Sequence, residues 1–149
     1  MATNEHTTID RLPPQNIEAE TALLGCLLLD RDAIIKVADQ IISDDFYDFR
    51  HRLIFEAIIS LFEKNTSIDV LTCANILDER NQSEKVGGSS YLATLVNSVP
   101  SAAHATYYAS IVRKKGTLRR LIKSASEITN LAYSEEGEIE TILDSAEQK

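Results

Sequence analysis

Between Ser101 and Ser134 the chain carries no proline and a single glycine, Gly116. Tyr108, Ile111, Val112, Leu118, Leu121, Ile122, Ala125, Ile128 and Ala132 fall three or four apart there. That spacing is the stripe of one long amphipathic helix. Glu135, Glu136 and Gly137 can turn the chain, and Glu138 to Gln148 reads as a return helix with Ile139, Ile142, Leu143 and Ala146 on one side. Two helices joined by a short turn make a hairpin. A lone helix pair hides little apolar surface, so this stripe calls for cover from another subunit. Gly116 is a candidate bend, since a mid-helix glycine costs up to about 1 kcal/mol relative to alanine.

The remainder reads as helix as well, because alternating β-branched runs bounded by turns are absent. Pro13 and Pro14 hold the entry extended, and Asn16 is a good cap for a first helix to Leu29. Glu18 and Glu20 place negative charge on its first turn, where the helix dipole favours it. Ala19, Leu23, Leu24, Leu27 and Leu28 form its apolar side. Asp30 can cap a second helix to about Ile42, with Ile34, Val37, Ala38 and Ile41 inward. Phe46, Tyr47 and Phe49 form an aromatic plug before a third helix, about Arg50 to Lys64, which buries Ile54, Phe55, Ile58, Leu61 and Phe62. Asp69 caps a fourth through about Asn81, with Leu71, Ala74 and Leu77 as its core side. Gly87-Gly88 ends that segment, and Ser89 or Ser90 caps a short helix from Tyr91 to Ser98. The expected fold is therefore all-α: a flexible tail at 1–11, a compact helical head at 12–100, and a long helical hairpin at 101–149.

Several function classes fall away on composition. The net charge is −8 over 149 residues. Residues 1–100 hold 8 basic and 16 acidic side chains, against 7 of each in 101–149, so the first part repels phosphate backbones. Arg113, Lys114, Lys115, Arg119, Arg120 and Lys123 form a basic run without an acid or an aromatic between them. Without aromatics on which bases can stack, a solvated face is the plainer reading, and weak single-stranded-DNA binding through Arg113–Lys123 is the alternative. The acidic segment after the turn could pair with some of that run, setting orientation more than stability. No stretch is long enough to span a membrane and no signal peptide is recognisable, so a cytoplasmic location is expected. Cys26 and Cys73 sit among apolar residues and read as buried reduced thiols. His51, flanked by Arg50 and Arg52, suits a structural hydrogen bond better than a metal. His6, His51 and His104 sit in no catalytic setting. No metal or other cofactor and no enzymatic activity are expected.

Short stretches recur in a telling order: Leu-Pro-Pro-Gln-Asn-Ile-Glu-Ala-Glu from Leu12, Leu-Leu-Asp from Leu28, and Asp-Asp-Phe-Tyr from Asp44. His-Arg-Leu-Ile-Phe-Glu-Ala-Ile begins at His51, Ile-Asp-Val-Leu-Thr at Ile68, and Val-Gly-Gly-Ser-Ser-Tyr-Leu-Ala at Val86. Val-Pro-Ser-Ala-Ala from Val99 and Tyr-Ala-Ser-Ile-Val-Arg from Tyr108 complete the set. In this order they resemble the amino-terminal domain of bacterial replicative DNA helicases of the DnaB type, over about residues 11–149. Gly116 departs from the usual pattern, in which a better helix former stands.

The resemblance implies a helical head and hairpin that pair between subunits, dimer upon dimer, into a trimer-of-dimers collar on a hexameric ring. It implies docking of the carboxy-terminal domain of primase, with helicase loaders and the clamp-loader subunit as further partners. Tyr91, Ile122 and Ile128 match positions implicated in primase contact, and Ile142 on the return helix joins them. Periodicity alone would make these residues core. Ile111, Leu118, Leu121 and Ala125 on the hairpin stripe are the candidate self-association face. The RecA-like motor of that family carries a Gly-x-x-x-x-Gly-Lys-Ser/Thr loop, whose amides cradle phosphates. None of Gly25, Gly87, Gly88, Gly116 and Gly137 opens such a window. The expectation is a collar domain without ATPase or unwinding activity of its own.

Overall fold

The computed structural model describes residues 11–149; the expected tail at 1–11 lies outside them but for Arg11. Helix α1 spans Ile17–Leu29. Its start is set by Asn16, whose Oδ1 accepts from the Ala19 N–H at 2.9 Å. Every residue from Leu23 to Leu28 is buried, so the helix has no solvent face along that stretch. A helix apolar all round belongs inside a core, and α1 is the central element of the head. Gly25 permits the closest approach: a Cβ there would collide with the Leu95 carbonyl oxygen.

The head continues with α2 (Ala33–Val37), a 3-10 turn (Ser43–Asp45), α3 (Phe49–Glu63), α4 (Val70–Glu79), α5 (Ser83–Val86) and α6 (Gly88–Asn97); α2, α3 and α6 pack on α1, and the 3-10 turn, α4 and α5 pack on α3. Asp48 and Asp69 cap α3 and α4 through their carboxylates. Asn65 and Asn81, both with positive φ, follow α3 and α4. Gly87, at φ 94°, turns the chain between α5 and α6. Leu23, Leu24, Ile34, Phe46, Ile54, Phe55, Ile58, Leu77, Leu92 and Leu95 fill the core.

Several details differ from the sequence reading. Helix α6 starts at Gly88 with Gly87 at its cap position, so Ser89 and Ser90 lie inside it and cap nothing. The second helix stops at Val37 rather than near Ile42, and its cap position is Asp32. Of the aromatic plug, Phe46 is buried, while Phe49, the first helical residue after the Asp48 cap, is 59% exposed. Leu71 is 69% exposed: the inward row of α4 holds Cys73 and Leu77, one turn apart, and Leu71 lies two residues, about 200°, off that row. The short helix α5 was not expected. Its four residues offer too little periodicity to read.

Helix α7 runs unbroken over Ala105–Ser134, so Gly116 marks no break. Glycine is needed there for another reason. A Cβ would lie 2.7 Å from the Asp45 Cα and closer still to its Oδ1. The chain divides into two compact units at Gly116, within α7. Ala105, Ala109, Val112 and Gly116, spaced four, three and four apart, are buried in the first unit. Small residues on that row let α7 press close. The second unit, Thr117–Lys149, is a helical hairpin: the end of α7, a turn with Glu135 and Gly137 at positive φ, and α8 (Ile139–Glu147). The Ser124 hydroxyl donates to the Lys149 carbonyl at 2.9 Å, and Lys149 Nζ lies 3.7 Å from Glu127 Oε2. These two contacts bring the chain's end back beside the middle of α7. No helix of the described residues is long and apolar enough to cross a membrane.

Candidate functional site

In the first unit a polar network threads the apolar core to the surface at Tyr91. Glu20 stands on the α1 row that carries Leu24 and Leu27, four and seven residues on, and is only 1% exposed. Its carboxylate accepts from the Tyr47 N–H at 2.7 Å, the Asp48 N–H at 3.2 Å and His51 Nδ1 at 2.8 Å. A buried carboxylate is tolerable only with such partners. His51 is fully buried, and its Nε2 lies 2.6 Å from the Tyr91 hydroxyl. Both ring nitrogens are thus spent inside the protein, and this histidine cannot reach a substrate.

The surface end of the network is Tyr91 with Arg50 and Asp48. The Arg50 guanidinium carbon lies 4.3 Å from the Tyr91 ring centroid, within cation–π range. Asp48 holds Arg50 through Nε at 3.3 Å and Nη2 at 3.0 Å. Partial burial pushes the Asp48 carboxyl up, but the hydrogen bonds from the Arg50 side chain and N–H outweigh it and leave its pKa lowered. The Asp48 carboxylate raises Arg50 in turn. Burial raises the Tyr91 phenol, against the pull of Arg50.

Tyr91 is half-buried and belongs to the first unit; Ile122, Ile128 and Ile142 belong to the second. Ile122 and Ile128 are exposed and Ile142 is half-buried. Of the candidate self-association residues, Ile111 packs against the head core, Leu118 is half-buried, and Leu121 and Ala125 are exposed. Leu118, Leu121, Ala125 and Ile128 recur at three, four and three, so they share one face of α7. The basic run straddles Gly116, with Arg113–Lys115 before it and Arg119–Lys123 after.

From Thr117 to Lys149 no residue is buried. Leu121 is 65% exposed and Leu143 is 56% exposed; Tyr133 and Ile139 are open as well. In the sequence, Glu20 read as a dipole-complementing acid, and its role in the core was missed. The available signal was its place in an apolar row, where a charged residue needs buried partners. The tether between His51 and Tyr91 spans forty residues and has no sequence signature.

The model of the DnaB-like helicase N-terminal domain family matches residues 12–114. The chain is 44% identical over 139 residues to the replicative DNA helicase DnaC of Bacillus subtilis, covering 93% of this chain and 31% of that protein. It is 41% identical over 140 residues to the replicative DNA helicase DnaB of Geobacillus stearothermophilus, again covering 31% of it. It thus spans about a third of the length of these curated relatives. The crystal structure of the N-terminal domain of DnaB helicase from Mycobacterium tuberculosis superimposes with a TM-score of 0.89 at 37% identity, covering 92% of this chain and 96% of that one.

Proposed function

The chain belongs to the DnaB-like helicase N-terminal domain family, and from that premise we propose that it is a self-associating, primase-docking collar domain without chemistry of its own. One observation carries the reading: the second unit has no buried residue, although Leu121, Ile122, Ile128, Ile139 and Leu143 lie on it. Apolar area left in water favours association by roughly 25 cal/mol per Å² covered. Copies of the chain meet through Leu118, Leu121 and Ala125, with Ile111 at the margin of the head. Tyr91, Ile122, Ile128 and Ile142 receive the carboxy-terminal domain of primase. Because Leu121 and Ile128 share one face of α7, self-association and the second unit's share of primase docking adjoin on that face. A helicase loader is a further candidate partner. That the chain does no catalysis is supported by the full burial of His51 and by the missing phosphate-binding window in these 149 residues.

Light scattering across a concentration series, with and without the primase carboxy-terminal domain, tests this directly. The expected result is a mass that rises to a dimer or higher and a further species with the primase domain. A strict monomer at high concentration that ignores the primase domain sinks the proposal.

A further inference from the structure

Hydrogen-bond direction through the buried network is fixed at its inner end. The Glu20 carboxylate already accepts two backbone N–H groups, from Tyr47 and Asp48. It faces His51 Nδ1 as an acceptor, so the imidazole proton sits on Nδ1. In the neutral ring that leaves a lone pair on Nε2, 2.6 Å from the Tyr91 oxygen. There the phenol proton points inward; in a charged ring Nε2–H would donate to the phenol oxygen, so the hydroxyl is held in either case. The ring is also flanked by the Arg50 guanidinium, which Asp48 holds in place. Tyr91 is thus gripped at its hydroxyl from within and at its ring from beside.

We infer that Glu20 and His51 are positioning residues for partner docking: they hold Tyr91 in one rotamer, so that a partner meets a ring already ordered. This rests on the reading of Tyr91 as a docking residue. Its physical content is preorganisation. A side chain fixed before the encounter loses little freedom on binding, and the gain appears as affinity without any new contact. His51 reaches Tyr91 through its hydroxyl, so removing that one oxygen breaks this link while leaving the ring and its Arg50 contact.

The test compares wild type, Tyr91→Phe and Tyr91→Ala for binding to the primase carboxy-terminal domain, beside urea unfolding of each and the nitrogen-15 spectrum of the His51 ring. Expected are an Nδ1-protonated ring in wild type and a loss of affinity for Tyr91→Phe of about three- to tenfold. Tyr91→Ala should lose about thirtyfold or more. Wild-type affinity in Tyr91→Phe, with Tyr91→Ala impaired, overturns the positioning role and spares the docking one. The positioning role falls equally if Tyr91→Phe lowers stability alone, or if the neutral ring carries its proton on Nε2. Wild-type affinity in Tyr91→Ala overturns the docking reading, and this inference with it.

Discussion

Gly116 sets two single-residue effects against each other. Alanine there gains up to about 1 kcal/mol of helix propensity. Its Cβ would also press on the Asp45 backbone from 2.7 Å, in a 3-10 turn that is already packed. Overpacking costs about 1–3 kcal/mol, so the collision wins and Gly116→Ala should lower the urea midpoint. A midpoint above wild type would show that the turn yields. At Glu20 the issue is satisfaction rather than space. Glu20→Ala strands two backbone N–H groups and His51, all in the core, and should destabilise by about 3–5 kcal/mol in the same assay. Cys73 supplies the pH dependence. Burial, aided by the Asp69 charge, pushes its thiol from 9.0 up to about 12. The fold favours the neutral thiol, so its contribution to stability is intact below about pH 9 and is lost as pH rises from there to about 12. The urea midpoint of wild type should therefore fall toward that of Cys73→Ala between pH 8 and pH 10.5. A constant gap between the two would refute the assignment.

At the scale of elements, what was legible follows from how local the cause is. The starts of α1 and α4 could be read because Asn16 and Asp69 act on N–H groups within three residues; the Asp48 cap of α3 is as local but was not among the expected caps. Asn16→Ala should accordingly cost about 1 kcal/mol in thermal or urea unfolding, and Asn16→Ser almost nothing. The long helix was legible from its stripe. The errors arose where tertiary packing overrode a plausible row. On α4, both Leu71-Ala74-Leu77 and Val70-Cys73-Leu77 have helical spacing, and only the neighbours of the helix choose between them. Ile41 is buried although no helix carries it there, so the apolar pattern was right about burial and wrong about helix length. In the candidate site, exposure on the hairpin was readable as an excess of apolar residues over what two helices hide. The Glu20-His51-Tyr91 line was not, because its members come from three elements and each looks ordinary in its own segment.

For the molecule as a whole, the two units divide stability unequally. The first has its own core, built on α1. The second has none, and α8 is nine residues long. Isolated helices shorter than about 12–15 residues are marginal in water, so the return helix depends on cover. Amide hydrogen exchange should therefore split by unit. In dilute protein, α8 and the end of α7 should exchange rapidly while α1 and α3 stay protected. Raising the concentration should protect α8 and leave α1 unchanged. Leu121→Glu combined with Leu143→Glu should abolish that concentration dependence and hold the mass at one chain, because each substitution places charge where apolar contact is needed. Both positions are exposed, so unfolding of the head should move by no more than about 0.5 kcal/mol. If α8 is instead protected in dilute monomer, or if the double variant still associates, the hairpin is stable without a neighbour and association must run through another surface.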